Sequence, residues 1–518
     1  MRGDGVQLRR LLDDVPGARL SGDAALGIRG VAYDSRAVEP GFLFAALRGS
    51  RRDGNEFVAQ AIAKGAVAVL SNRARGGAPA GVAWVQADDE RRALALVARN
   101  YYGRPDERMT LIGVTGTNGK TTVCFLLEAA LREAGLKPCL LGTVLYRYGR
   151  DEAKAERTTP ESLDLFRLLD RFATAGARSC AMEVSSHSLV LERVAGIGFK
   201  AGVFTNLTQD HLDFHRTMEA YLEAKAILFR NLAPSSIAVL NADDPHTPRL
   251  REVTRARVVT FGREAGADVR LAGVRATTSG TDAVLEVGAG VDRAHAAGRL
   301  EIRSPLLGLP NAINMATAAA ACLALGLPRE AIVRGLQSVA GVTGRFERLD
   351  EGQPFTVLVD YAHTDDALRS LLRAVRDLGP RRVLTVFGCG GDRDRAKRPK
   401  MGRAAAEASD VVLVTSDNPR GEDPRAIIEE ILPGVRQALT GDSGGEPDAG
   451  RYLVIPDRKE AIRRALGLAR PGDCVVIAGK GHETYQILGT RTIPFDDREV
   501  AREVLRAGGR AAGGQGLS

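Results

Sequence analysis

The stretch Gly113-Val114-Thr115-Gly116-Thr117-Asn118-Gly119-Lys120-Thr121-Thr122 decides how this chain is read. An apolar run (Met109, Leu111, Ile112) precedes it, and a helical pattern (Val123, Phe125, Leu126, Leu127, Ala130, Leu131) follows. A strand, a tight glycine loop and a helix start aim backbone N–H groups and a positive helix end at phosphate, with Lys120 as a point charge. Thr121 stands where a hydroxyl reaches Mg²⁺. ATP is the expected ligand. The general pattern asks for glycine at 114; Val114 stands there, with glycine one residue earlier.

Composition narrows the class. At 518 residues the chain has room for three domains of about 150 residues. Hydrophobic content of 44% with 26% charged residues suits a globular enzyme rather than a disordered chain. The net charge of +8 is spread along the sequence, and the basic clusters (Arg48, Arg51 and Arg52, then Arg393 to Lys400) are short enough for small anionic substrates. Aromatic residues, at 5%, are too scarce to stack bases, so no nucleic-acid partner is expected. Six cysteines (Cys124, Cys139, Cys180, Cys322, Cys389, Cys474) lie far apart, mostly in apolar runs, which predicts buried free thiols. With no signal-like start and no apolar run near 18 residues, the expectation is a cytoplasmic protein without membrane insertion.

The spacing predicts an α/β protein of three domains. Residues 1–105 form a small α/β domain ending at Tyr101-Tyr102-Gly103-Arg104-Pro105, a linker-like stretch. Residues 106–342 carry the phosphate loop and then alternating strands and helices, with strand cores at Ser179 to Val184, Ala201 to Asn206 and Ile237 to Asn241. That alternation calls for a mainly parallel sheet. Residues 265–304 read as β-rich. Residues 343–518 open a second, Rossmann-like α/β series, with strands at Thr356 to Asp360, Arg382 to Gly388, Val411 to Ser416 and Cys474 to Ala478. Ligands are expected at the polar loops that end these strands. The Gly- and Ala-rich tail from Ala507 to Ser518 is expected to fray.

Five of the seven histidines fall in polar loops beside other reactive residues: His187, His211, His215, His363 and His482. Met182-Glu183-Val184-Ser185-Ser186-His187 ends one strand with a carboxylate and two hydroxyls; Thr205-Asn206-Leu207-Thr208-Gln209-Asp210-His211-Leu212-Asp213 ends the next. Oxygen donors such as Glu183 and Thr121 suit Mg²⁺, and His211 completes or borders that site. No cysteines flank these histidines, which argues against a structural zinc site.

The form GTNGKTT, together with these two strand-end strings, resembles the Mur ligases and their relatives the folylpolyglutamate synthases. The resemblance implies that Glu183 and His211 ligate Mg²⁺ with Thr121. It also implies that Lys225, in Tyr221-Leu222-Glu223-Ala224-Lys225, is carbamylated (N6-carboxylysine) and joins that set. Carbamylation needs a neutral amine, and an unperturbed lysine of pKa near 10.4 is neutral less than about one time in a thousand at pH 7. For ATP the implied contacts are Gly116, Thr117, Asn118, Gly119, Lys120, Thr121 and Thr122. Asn311 joins them from Gly308-Leu309-Pro310-Asn311, Arg345 from Thr343-Gly344-Arg345-Phe346-Glu347, and Asp360 from Asp360-Tyr361-Ala362-His363. Lys120, Glu183, His211, Lys225 and Arg345 carry the implied catalysis. Pro310 stands where an aromatic is usual, and Asp365 where proline usually follows the His-Thr pair.

In the first region, Asp34-Ser35-Arg36 and Leu43-Phe44-Ala45-Ala46 look like the UDP-sugar domain of the two later peptide-adding members, with Ser35 against the uridine diphosphate. Asn55 replaces a frequent histidine. Thr158, Thr159, Ser185 and Arg193 fit the muramyl peptide, while Leu191 replaces a polar residue of some members. Late in the chain, Cys389-Gly390-Gly391-Asp392-Arg393-Asp394 and Asp417-Asn418-Pro419-Arg420 follow strands; Arg393 and Arg420 offer planar forks for a carboxylate. Gly479 and Glu483, in Gly479-Lys480-Gly481-His482-Glu483, supply backbone and an acid for an ammonium group. The Asp417-Asn418-Pro419-Arg420 string resembles that of the members adding meso-diaminopimelate. Lysine lacks the second carboxylate and would leave arginine charge unpaired, at a cost of about 3–5 kcal/mol if that pair is buried.

The implied partners are ATP, UDP-N-acetylmuramoyl-L-alanyl-D-glutamate and meso-diaminopimelate, with a monomer as the expected state. The implied reaction makes an acyl phosphate that the amine captures. Three alternatives stay open: a lysine-adding member, disfavoured by Arg420; a folylpolyglutamate synthase, which leaves Asp34-Ser35-Arg36 without a purpose; and a regulator using ATP as a switch, which gives no role to Glu483, Arg393 and Arg420.

Overall fold

Strands such as Ser179–Glu183, Ile237–Asn241 and Val383–Phe387 are buried along their whole length, leaving no face for water. Runs of that kind pair in parallel with helices on both sides. The computed structural model describes residues 5–49, 52–76, 79, 81–292, 296–440 and 450–513; Arg51 of the first basic cluster lies outside them.

Three main sheets result. The first runs Arg19–Ser21, Ala83–Gln86, Ala66–Ser71, Phe42–Ala45, Gly30–Ala32. The second has eleven strands, with Thr110–Thr115 at its centre between Ser179–Glu183 and Ala201–Phe204. Its pairs are parallel from Pro138–Leu141 through Arg257–Gly262 to the start of Val269–Thr277. Beyond that, Val269–Thr277, Gly280–Val287 and Gly298–Ser304 form an antiparallel meander, as the β-rich reading of 265–304 anticipated. Buried and exposed residues alternate along Gly280–Val287 because only one face of the meander packs on the core.

One face of the large sheet packs on helices Lys120–Glu133, Gly308–Ala324 and Arg329–Ser338; the other packs on Ser162–Thr174 and Met218–Arg230, and its apolar cluster continues into the first sheet through Leu43, Leu70 and Val85. The third sheet runs Glu347–Leu349, Thr356–Asp360, Cys474–Ala478, Val383–Phe387, Val411–Val414, Tyr452–Val454, parallel except for its first pair.

The expected strands are present, several shorter by a residue or two at their ends where the chain turns into loops. The tail behaves differently from its expectation. Helix Asp497–Gly513 continues past Ala507, since alanine and arginine favour helix strongly enough to carry the glycines; residues 514–518 lie outside the described residues. All six cysteines are buried free thiols. Among the described residues no helix is long and apolar enough to cross a membrane.

Candidate active site

The phosphate loop joins strand Thr110–Thr115 to helix Lys120–Glu133, and two of its glycines are obligatory. Gly116 has φ +147°, and a Cβ there would fall 1.9 Å from Thr205 Oγ1; Gly119 has φ +85° and stands against Asn314 Oδ1. The loop is tied to the strand-end segment 205–208. Thr205 Oγ1 donates to Asn118 O at 2.6 Å, Asn118 N to Asn206 Oδ1 at 2.9 Å, and Thr208 N to Thr117 Oγ1 at 3.0 Å. Lys120 Nζ folds back onto Gly116 O (2.9 Å) and Thr117 O (2.8 Å). Burial lowers its pKa, against the pull of the Glu183 carboxylate.

Lys225 enters the same loop from helix Met218–Arg230. It is 1% exposed, its Nζ donates to Gly116 O at 2.8 Å, and it lies 4.2 Å from the Tyr221 ring centroid. Two ammonium groups therefore share one carbonyl. Burial, reinforced by Lys120, pushes the Lys225 pKa well below its ordinary value. That shift is toward the neutral amine that reaction with CO₂ requires.

Glu183, 1% exposed, ends its strand beside Thr143, which donates to it from backbone N (2.7 Å) and from Oγ1 (3.0 Å). Thr158 Oγ1 stands 3.1 Å from the Thr143 hydroxyl. Thr159 Oγ1 donates to Glu183 O at 2.8 Å and receives Ser185 N at 3.2 Å, so Thr158, Thr159, Ser185 and Glu183 form one cluster. Arg193 braces that cluster: its Nε holds Glu161 at 3.0 Å and its Nη1 the Thr159 carbonyl at 3.2 Å. Ser35 stays in the first sheet's territory, buried and donating to Gln60 Oε1 at 2.9 Å. Asn55, the departure beside it, is held by Asp53 and Ser71.

His211 sits at φ +53° in the segment after Ala201–Phe204. Its ring packs against those of His187 (4.8 Å) and Tyr221 (6.2 Å). Burial lowers the pKa of His211 and of His187 to about 4, leaving His211 neutral, as a metal ligand must be. Among the described residues no three His, Cys, Asp or Glu side chains converge as a metal cluster. The donors here are of another kind: the Thr121 hydroxyl, the Glu183 carboxylate, neutral His211 and the Lys225 amine. With a carbamate on Lys225 this is a mainly hard-oxygen set, which fits Mg²⁺.

Across from this edge lie the ends of four parallel strands of the third sheet. A cavity of about 390 Å³ is walled on one side by Asp210, His211 and Asp213. On the other side stand residues following Thr356–Asp360 (Tyr361, His363), Val383–Phe387 (Gly388, Arg393), Val411–Val414 (Asp417, Asn418, Arg420) and Cys474–Ala478 (Gly479, Glu483). Strand C-terminal ends are where open parallel sheets hold ligands. Arg420, at φ +51°, donates from Nη1 to Gly391 O at 2.8 Å; Arg393 is exposed and donates to Asp392 O. Asn418 Nδ2 donates to Glu483 Oε2 at 2.8 Å; Pro419 stands between Asn418 and Arg420 in the chain.

Arg345 stacks on Tyr361, its guanidinium carbon 4.6 Å from the ring centroid, and its buried Nε has no partner among the described residues. Asp360 accepts Phe346 N (2.7 Å) and Ala362 N (2.8 Å), so it splints the two segments expected at ATP. Burial raises its pKa, Arg345 opposing. Asn311 donates to Leu307 O and receives Asn314 Nδ2, near Gly119. Pro310 is in the first turn of helix Gly308–Ala324, and Asp365 opens helix Asp365–Asp377, both positions that tolerate these residues.

Thr143 braces Glu183, Tyr361 lines the cavity and Lys480 lies behind its lining; none of the three was singled out from the sequence. Thr143 lies just beyond strand Pro138–Leu141, and its strand-end position was the available signal. Tyr361 and Lys480 carried no signal, since an aromatic in a loop and a buried lysine look like any other.

Family models match in chain order: Mur ligase family, catalytic domain, over residues 27–102; Mur ligase middle domain over 114–322; Mur ligase, glutamate ligase domain, over 344–481. The UDP-N-acetylmuramoyl-L-alanyl-D-glutamate–2,6-diaminopimelate ligase of Solibacter usitatus is 50% identical over 486 residues, 93% of this chain and 94% of that protein. A solved structure of an enzyme of that name superposes with a TM-score of 0.68 at 31% identity, covering 98% of this chain and 99% of the other. The MurF ligase of Thermotoga maritima in complex with ADP shares the fold, with a TM-score of 0.62 at 19% identity over 92% of this chain and 98% of that one. This chain belongs to the Mur ligase family.

Proposed function

We propose that the chain joins meso-diaminopimelate to UDP-N-acetylmuramoyl-L-alanyl-D-glutamate at the expense of ATP, acting as a cytoplasmic monomer in peptidoglycan precursor synthesis. The observation that carries this reading is the cavity in which Asp210 and His211, at the edge of the phosphate-loop sheet, face Asn418, Arg420 and Glu483. Residues 1–105 then hold the UDP-muramyl end, 106–342 the ATP and 343–518 the incoming amino acid. The name carried by the 50% identical relative supports the same substrates.

The peptide carboxylate, steadied near Thr158, Thr159, Ser185 and Arg193, attacks the γ-phosphorus of ATP; the bond to the β-phosphate oxygen breaks and ADP leaves. Lys120, Arg345 and the loop N–H groups of Gly116 to Thr122 neutralise charge on the transferring group. Asn311 and Asp360 place the nucleoside. Thr121, Glu183, His211 and carbamylated Lys225 are the residues that would hold Mg²⁺, which supplies charge neutralisation at the phosphates. The amine of diaminopimelate, presented by Arg393, Asp417, Asn418, Pro419, Arg420, Gly479 and Glu483, attacks the acyl carbon. The C–O bond to phosphate breaks, the nitrogen loses a proton, and an amide remains.

Phosphate release from ATP tests this, measured with the UDP-muramyl dipeptide plus, in turn, meso-diaminopimelate, lysine, or folate with glutamate. Release only with diaminopimelate, accompanied by a lengthened muropeptide, is expected; release with none of them overturns the reading.

A further inference from the structure

Beneath the amino-acid loops lies a lysine with no exposed surface. Lys480 is 0% exposed, and burying an ammonium group is costly unless its protons find partners. Two find them: Nζ donates to Glu483 Oε2 at 3.0 Å and to Asn418 Oδ1 at 3.2 Å, and lies 5.5 Å from the Tyr485 ring centroid. Glu483 Oε2 also receives Asn418 Nδ2 at 2.8 Å, and Asn418 Oδ1 also receives Ile487 N at 3.0 Å. Oε2 of Glu483 is thus committed twice, while Oε1 receives no donor among the described residues. Asn418, Glu483 and Tyr485 all line the cavity; Lys480 stands behind them.

Asp417 completes the charge balance. It lines the same cavity and lies against Gly479, where an added Cβ would fall 2.6 Å from its Oδ2. Asp417 and Glu483 thus place two carboxylates on the cavity beside one buried ammonium, and Glu483 Oε1 is left uncommitted. An uncommitted carboxylate oxygen is an acceptor suited to an ammonium group.

We propose that Lys480 is a positioning residue: by holding Glu483 Oε2 and Asn418 Oδ1 together, it turns Glu483 Oε1 toward the ammonium group of the incoming diamino acid. It touches no substrate. The inference rests on the ligase reading above and adds a specificity role that Lys480 exercises through Glu483 and Asn418.

The test uses the full-length enzyme carrying Lys480→Met. The Michaelis constant for meso-diaminopimelate is expected to rise about 10- to 100-fold, while kcat and the constants for ATP and the UDP-dipeptide stay within about 3-fold. In a Glu483→Gln background, Lys480→Met is expected to change the diaminopimelate constant by less than about 3-fold, because the partner it positions is already gone. Independent, multiplying effects of the two substitutions overturn the proposal, as does an equal loss toward all three substrates. If Lys480→Met gives no soluble protein, Lys480→Gln, which keeps an N–H donor of shorter reach, carries the same comparison. Wild-type enzyme that releases no phosphate with diaminopimelate defeats the ligase reading itself, a result distinct from either.

Discussion

In the phosphate loop, Thr117, Asn118, Lys120 and, from a distant helix, Lys225 are tied to neighbouring loop and backbone groups on the same sheet edge, whereas across the cavity Arg393 hangs from the carbonyl of Asp392 in its own loop and Arg420 from that of Gly391 in the neighbouring one. The first wall is cross-braced by hydrogen bonds that need no ligand. The second ties its loops together around Asn418, Glu483 and Lys480 and through Asp392, Glu422 and Arg398, while the Arg393 and Arg420 forks make only backbone-carbonyl contacts among the described residues. Phosphoryl transfer rewards preorganised charge, because reorientation at the moment of reaction costs rate. Choice of the incoming amino acid rewards groups that lose more when left unpaired, and that loss needs only a few anchored contacts.

If the contrast is right, substitutions on the first wall should reduce kcat and those on the second should raise a Michaelis constant. Lys225→Ala should show the largest effect, a fall in kcat of about 10³-fold. The intact mass of wild-type protein kept in bicarbonate should exceed its sequence mass by one CO₂, and that increment should vanish in the variant. Retained turnover would mean that the buried amine is only structural. Arg345→Ala should reduce kcat about 100-fold if, as proposed, its buried Nε beside Tyr361, unpartnered among the described residues, donates to the transferring phosphate. Unchanged kinetics would remove it from the site.

Arg420→Ala should raise the Michaelis constant for diaminopimelate about 10- to 50-fold with little change in that for ATP. A fall in kcat alone would place Arg420 with the phosphate wall instead. The smallest effect concerns His482, whose pKa burial, then Arg345, lowers to about 3. Above pH about 6.5 both folded and unfolded forms leave it neutral. As pH falls toward 3 the unfolded chain takes up the proton first, so stability is lost through that window. His482→Gln should therefore flatten the decline of Tm between pH 6.5 and 4 relative to wild type; parallel Tm profiles would contradict the assignment.

Much of this was legible in the sequence because it is local. Strand, glycine loop and helix around Gly116 to Thr122 are contiguous, and contiguous residues dictate their own turn. The β-rich character of 265–304 and the buried thiols were also read from the sequence, while the antiparallel pairing of those strands was not. The helical continuation beyond Ala507 was misjudged, because glycine content was weighed above the alanine and arginine around it. Thr143 escaped notice because a Gly-Thr pair after a strand has no distinctive chemistry until Glu183 is brought against it.

What the order of residues determined by itself was the class of chemistry: a phosphate-binding turn, oxygen-rich strand ends and late arginine loops, each a short motif whose backbone geometry needs no distant help. Only the tertiary structure decided that Lys225 shares a carbonyl with Lys120, 109 residues from Gly116 in the chain, and that Asn418 meets Glu483 across 65. Those pairings depend on which strands lie side by side and how deeply the side chains are buried. Burial, in turn, is what converts an ordinary surface lysine into a depressed-pKa amine or a hidden brace.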